Sequence, residues 1–243
     1  MKIRSKIKEK WNKISNMGST YNCPVCNYNG RKFLDSGLTS KRKNARCPSC
    51  KSLERHRQLV LIIESLQVLT KDSSLLHFAP EPCLLTYFKN KLGENYKTSH
   101  YNEKSKSDYS FDIRNIDSPD ETYDFIVCSH VLEHIDEDIK AMKELYRILK
   151  PGGIAFIQVP IWPSESHPTY ENFNITDERD RIINFGQYDH VRIYGLDVID
   201  RLKSVGLILE VIDLCQSLES VKVEKYALTN DSKVRDLTFI CRK

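Results

Sequence analysis

The sequence predicts an α/β protein, a mostly parallel sheet covered by helices on both faces, behind a small N-terminal zinc ribbon. Three observations carry this expectation. From Ser52 onward, short apolar runs alternate with amphipathic helical stretches, the pattern of a sheet with crossover helices. Four of the eight cysteines stand as two Cys-x-x-Cys pairs between residues 23 and 50. The formal net charge of +4 also hides a split. Residues 1–57 hold 15 Lys/Arg against 3 Asp/Glu, a net of +12, while residues 58–243 hold 22 against 30, a net of −8.

With 40% apolar and 29% charged residues, the 243-residue chain has the balance of a soluble globular protein rather than a disordered or membrane one. Its longest aliphatic run, Leu59–Ile63, is far short of the ~20 residues of a spanning helix. The basic start is not followed by an apolar signal region, so a cytoplasmic location with reduced thiols is expected. The charge and cysteine patterns divide the chain into a basic arm (1–20), a ribbon (21–57) and a body (58–243).

In the arm, Ile3, Ile7, Trp11 and Ile14 recur at helical spacing between lysines, which predicts a short helix packed on the body or a frayed tail, with a basic amphipathic helix lying on a membrane or an anionic partner as the alternative. In the ribbon, Cys23-Pro24-Val25-Cys26 and Cys47-Pro48-Ser49-Cys50 each form a knuckle that aims two thiolates at one point, and two knuckles supply the four-sulfur tetrahedral shell of Zn²⁺. Four cysteines close that shell, so the site is structural, with no position left for an activated water. Four thiolates on a divalent ion carry about −2, so the formal +12 overstates the ribbon's charge. Lys41, Arg42, Lys43 and Arg46 stand in the intervening loop, where they can meet phosphates or simply be solvated.

In the body, Leu59, Ile62, Ile63, Leu66 and Leu69 share one helical side. Leu75–Ala79 is the first strand, and Pro82 opens a helix closed near Gly93. Tyr96–Tyr101, Tyr109–Ile113 and Tyr123–Ser129 follow as extended segments. Asp136–Leu149 is the clearest helix, with acids at its positive end and Lys143, Arg147 and Lys150 at its negative end. Pro151-Gly152-Gly153 stops it before the strand Ile154–Val159; a helix over Gly195–Val205 and strands over Leu207–Leu214 and Leu237–Cys241 complete the body.

Ser129-His130-Val131-Leu132-Glu133-His134-Ile135, a helix, and Leu149-Lys150-Pro151-Gly152-Gly153 together resemble the class I S-adenosylmethionine-dependent methyltransferases of the type-11 kind. Tyr123-Asp124-Phe125-Ile126-Val127 is similar to that family's fourth strand, and the resemblance covers roughly residues 70–243. The ribbon with Ser52-Leu53-Glu54-Arg55-His56-Arg57 is similar to an N-terminal extension of one branch. The resemblance implies a Rossmann-like seven-stranded sheet ending in an antiparallel hairpin near 207–241, with S-adenosylmethionine across the carboxyl ends of the first four strands.

The resemblance places Phe78, Ala79, Pro80 and Glu81 in the cofactor-binding first turn, which has no glycine where the family is glycine-rich. It places His100 where an acid usually grips the ribose, Asp112 and Ile113 at the adenine, and Ser129 and His130 beside the cofactor. His130-Val131-Leu132-Glu133-His134 also matches the pattern of inverted zinc peptidases. That site needs both histidines on one helix, and His130 falls at a strand end. Asn174-Ile175-Thr176 fits a glycosylation acceptor but lacks a secretory context.

The long connection 161–194 is expected to act as a lid. Within it His190 is a candidate base for an acceptor hydroxyl, Asp189 its orienting acid and Arg192 a holder of an anionic acceptor; the alternative is a hydrogen-bonded loop that pins the lid. The expected function is methylation, at oxygen, of a small polar or carbohydrate-like acceptor, with S-adenosyl-L-methionine as cofactor and structural Zn²⁺. Two alternatives remain open: an RNA methyltransferase gripping its substrate with the ribbon, and a non-catalytic zinc-ribbon interaction protein on a methyltransferase scaffold.

Overall fold

The computed structural model describes residues 11–37, 41–162, 167–228 and 237–243. Its described residues fall into two compact units. The first takes residues 11–37, 41–69, 81–90 and 214–228, and the second takes 70–80, 91–162, 167–213 and 237–243.

The first unit is built on two antiparallel hairpins. β1 (Met17–Cys23) pairs with β2 (Tyr28–Gly30), and β3 (Leu34–Ser36) pairs with β4 (Arg42–Arg46). Helix α1 (Glu54–Leu66) follows, and Arg57 on it is fully buried. Its guanidinium donates to the carbonyls of Ala45, Ser52, Tyr226 and Ala227 at 2.6–3.0 Å and lies 5.2 Å from the Phe33 ring centre. These bonds tie hairpin, helix and C-terminal segment together. The unit therefore runs past residue 57, where the charge changes sign. Of the expected helix, residues 11–15 are helical, with Trp11 and Ile14 exposed; Ile3 and Ile7 lie outside the described residues.

The second unit is organised by a six-stranded sheet. β5 (Leu75–Phe78) pairs in parallel with β6 (Tyr96–Ser99) and with β7 (Tyr123–Ser129), and β7 pairs in parallel with β8 (Leu149–Gln158). Helix α2 (Pro82–Leu92) follows β5 in the chain, and its residues 82–90 belong to the first unit. Helix α3 (Asp138–Ile148) leads into β8. The expected antiparallel hairpin is present: β11 (Ile208–Ile212) pairs with β12 (Thr238–Arg242), which pairs with β8. All four residues of β5 are buried. Leu76, Ile126, Met142, Leu145, Ile157 and Phe239 share one core, each burial contributing roughly 2 kcal/mol of transfer free energy.

The sheet has six strands, not the seven expected, and Tyr109–Ile113 is the segment that stays out. It makes one isolated parallel bridge, Ser99 to Tyr109. Asp108 accepts hydrogen bonds from the Thr98 amide and hydroxyl (2.8 and 2.7 Å), so a side chain occupies a donor that a strand carbonyl would take. Beyond Phe111, Asp112 turns the chain by accepting from the Arg114 amide through Oδ1 (2.9 Å) and from the Asn115 amide through its carbonyl (2.9 Å).

The 161–194 connection has structure of its own: β9 (Tyr170–Glu171) pairs with β10 (Arg192–Ile193), and helix α4 (Glu178–Phe185) lies between them. Asp177 caps α4 by accepting from the Arg179 and Asp180 amides. Among the described residues no helix is long and apolar enough to cross a membrane.

Candidate functional site

In the first unit the four knuckle cysteines converge, with their sulfurs within 4.8 Å of one another. Cys23 and Cys50 sulfurs are 3.6 Å apart and those of Cys26 and Cys47 are 3.8 Å apart. A tetrahedron with ~2.3 Å metal–sulfur bonds has edges of about 3.8 Å, so the spacing fits Zn²⁺ without rearrangement. Each knuckle is closed by a left-handed residue directly after its second cysteine, Asn27 (φ 57°) and Lys51 (φ 68°), whose amides bond the Cys23 and Cys47 carbonyls. All eight cysteines are free thiols. The four thiols titrate as one set: hydrogen bonds within the cluster push Cys23 down and push Cys47 and Cys50 up.

The segment Ser52–Arg57 supports this cluster. Ser52 Oγ lies 3.2 Å from the sulfurs of both Cys23 and Cys50. Glu54 accepts from Arg42 at 2.8 Å, which removes one arginine from the supposed phosphate-facing loop. His56 Nδ1 accepts from the Leu53 amide (3.1 Å), so its Nε2 donates to Glu81 at 2.9 Å.

In the second unit a cavity of about 980 Å³ opens at the carboxyl ends of β5, β6 and β7, where open α/β sheets bind their ligands. Phe78, Ala79, His100, Asp112, Ile113 and His130 all line it. The other three expected cofactor residues do not. Pro80 is absent from the lining, Glu81 is engaged with His56, and Ser129 is buried and donates to Gln158 Oε1 at 3.0 Å.

Two lining residues carry positive φ, Ala79 (47°) and His130 (54°). A side chain in this region costs roughly 1–2 kcal/mol, and such strain gathers at ligand sites. Ala79 therefore adopts the left-handed backbone that a glycine would take more easily. Hydrogen bonds from Arg114 (Nη2 to Oδ2, 2.8 Å) hold the Asp112 carboxyl below its usual range.

The expected Asp189 also lines the cavity, together with residues that the sequence did not single out: Ser99, Tyr101, Phe111, Arg114, His134 and Asp136, and Phe173, Arg181 and Val191 from the 161–194 connection. For His134 a signal was available, since it stands directly beside Glu133 in the recognised motif.

The three expected catalytic residues go to different places. Arg192 is fully buried; it bonds Glu171 (2.9 Å), the Leu132 carbonyl (3.0 Å), the Asp136 carbonyl (2.9 Å) and the Ile135 carbonyl. It ties the β9–β10 pair to the segment after β7, and its donors are taken by these partners. The Asp189 carboxylate lies 3.4 Å from His134 rather than against His190, and accepts from Gln187 at 2.8 Å. His190 is buried behind the cavity wall, donating from Nδ1 to the Phe185 carbonyl at 3.0 Å. Burial pushes its pKa below the ordinary imidazole value.

Between these groups lies Glu133, fully buried. Its Oε1 is 3.1 Å from His130 Nδ1 and 4.0 Å from His190 Nε2. Neither oxygen has a hydrogen-bond partner of good geometry among the described residues. Burial pushes its carboxyl up, and the facing imidazoles of His130 and His134 more than offset that, leaving it below the ordinary carboxylate range.

A family model described as a methyltransferase domain matches residues 54–198, more than half of the chain. The chain belongs to this methyltransferase-domain family. No curated protein matches it in sequence. Among solved structures, an S-adenosylmethionine-dependent methyltransferase from Mesorhizobium loti is similar (TM-score 0.53, 11% identity, 76% of this chain and 97% of that one). The [4+2]-cyclase SpnF is similar to the same degree (TM-score 0.53, 14% identity, 76% and 80%). At these identities the likeness concerns the fold, and a cyclase on the same fold shows that the site must decide the chemistry.

Proposed function

We propose that this methyltransferase-domain protein binds S-adenosylmethionine in the cavity at the carboxyl ends of β5, β6 and β7 and transfers its methyl group to an oxygen of a small polar, carbohydrate-like acceptor. The observation that carries the reading is that six residues expected at the cofactor line one cavity of cofactor size, with Ala79 already in the backbone geometry of a glycine turn. Phe78 and Ile113 offer apolar faces to the adenine. His100 Nδ1 accepts from the Asn102 amide (3.0 Å), so Nε2 is the nitrogen available to a ribose hydroxyl.

The acceptor enters on the His130 and His134 side, under the 161–194 lid. Its oxygen attacks the sulfonium methyl and the S–C electron pair leaves with S-adenosylhomocysteine; the hydroxyl proton passes to the imidazole of His130. Alignment and exclusion of water supply most of the acceleration, because the sulfonium is already a good leaving group.

Zn²⁺ in the Cys23, Cys26, Cys47 and Cys50 shell completes the proposal, as a structural ion. Calorimetric titration with S-adenosylhomocysteine tests the cofactor reading. Saturable micromolar binding, weakened at least tenfold by Asp112→Ala, is expected. No binding at millimolar ligand ends the enzyme reading in favour of a non-catalytic scaffold.

A further inference from the structure

Glu133 and His190 present an arrangement that hydrogen bonding alone does not explain. The His190 Nδ1–H is committed to the Phe185 carbonyl at 3.0 Å, so Nε2 carries a lone pair. That lone pair faces Glu133 Oε1, a second acceptor, at 4.0 Å. His134 repeats the pattern: its Nδ1 lies 3.2 Å from the Asp189 carbonyl, which requires the proton there and leaves Nε2 as an acceptor too. Its ring meets His190 edge-on, with centres 4.7 Å apart. Two imidazoles and a fully buried carboxylate that receives no well-formed hydrogen bond, its Oε1 lying 3.1 Å from His130 Nδ1, thus converge, with the donor atoms of Glu133, His134 and His190 all within 4.8 Å. Acceptors gathered this way in a dry place repel one another unless a cation sits between them.

We propose that Glu133, His134 and His190 form a site for one divalent transition-metal ion at the cavity wall, with His130 as its neighbour on the cavity side. Two imidazoles and one carboxylate are the donor set for such an ion. Each imidazole already makes the outer hydrogen bond to a backbone carbonyl that fixes the tautomer of metal-bound histidines. Donors around an ion with ~2.1 Å bonds stand about 3.0–3.4 Å apart, so the side chains close inward by roughly an ångström. His130 and His134 line the cavity, so the ion's open positions face it. This deepens the reading of the cavity as the acceptor site and rests on it: the ligand class is an acceptor whose hydroxyl oxygen binds the ion and is made more acidic there.

The probe is Mn²⁺, which thiolate sites disfavour, added to the full-length zinc-loaded protein and followed by electron paramagnetic resonance. One Mn²⁺ per chain with imidazole nitrogen couplings is expected, and Glu133→Gln and His134→Gln should each weaken binding at least tenfold. His134→Gln, at a partly exposed position, serves if Glu133→Gln does not fold. No Mn²⁺ binding by the parent protein overturns the proposal. So does binding that both variants leave unchanged, which would place the ion elsewhere. S-adenosylhomocysteine titration of the same samples separates the two readings, since loss of cofactor binding would sink the methyltransferase reading and leave the Mn²⁺ result to be judged alone.

Discussion

Cys23, Cys26, Cys47 and Cys50 reach one point because each pair is delivered by a single tight turn, whereas Glu133, His134 and His190 meet only because the 161–194 connection returns to the segment after β7. The first cluster is a local construction repeated twice, visible as spacing. The second has only its adjacent pair in local sequence, and its third member arrives through tertiary structure. Their supports differ in the same way. Ser52, two residues from Cys50, touches two cysteine sulfurs, while His190 is fixed by the Phe185 carbonyl at the end of α4. A site assembled locally is expected to fold or fail as a unit, and a site assembled at long range can be lost without losing the fold.

Removing the proposed zinc is the largest test of that contrast. Structural zinc in small domains supplies on the order of 10 kcal/mol of folding free energy. Cys47→Ser, or a strong chelator, should therefore abolish the zinc content and melt the first unit, measured by mass spectrometry and circular dichroism. A metal-free protein with an unchanged melting curve would overturn the structural role of the ion. Next in size is Arg57→Met. It leaves the Ala45, Ser52, Tyr226 and Ala227 carbonyls without this donor in a buried place and should cost about 3 kcal/mol in urea unfolding. A cost below about 1 kcal/mol would mean that water replaces the guanidinium.

How far each region was legible follows from the same distinction. The two knuckles could be placed from cysteine spacing, and β5, β7 and β8 from buried apolar runs. The loss of the expected strand at Tyr109–Ile113 depends on the Asp108 side chain bonding Thr98, a contact that no propensity encodes. The change of charge near residue 57 drew attention to a boundary there, but packing continues through α1 because Arg57 reaches residues far along the chain. Arg192 looked like an anion holder because arginine in a long loop usually faces water; here it is fully buried among backbone carbonyls. The motif around Glu133 was visible, yet its buried carboxylate without a well-formed hydrogen bond was not, because burial is a property of the assembled site.

The cavity offers a smaller test, since its first turn works without glycine. Ala79→Val adds β-branching at φ 47° and should cost about 1–2 kcal/mol. It should also weaken S-adenosylhomocysteine binding at least fivefold by calorimetry, while Ala79→Gly keeps or improves it. If Val is tolerated in both assays, the backbone there is not constrained by the cofactor.

Acid should separate the two regions most finely. Thiolate ligands must stay deprotonated to hold zinc, so with the proposed ion in place the first unit is expected to lose that staple as the pH falls. The second unit secures its acids by charge instead. Glu144 accepts from Arg147 Nε at 2.8 Å and from the Ile116 amide at 2.7 Å, and the Arg147 hydrogen bond holds its carboxyl below the ordinary carboxylate range. For a depressed carboxyl the unfolded chain takes up the proton first. The stabilisation is therefore complete above about pH 4.5 and is lost as the pH drops through the folded value. Glu144→Gln should accordingly cost roughly 1 kcal/mol at pH 7, and that difference from the parent should stay flat down to about pH 4.5 and shrink below it. Zinc release measured with a chromogenic chelator should already be under way in the flat part of that profile. Were the Glu144→Gln difference to shrink above pH 5, the ion pair would not be what holds that carboxyl down.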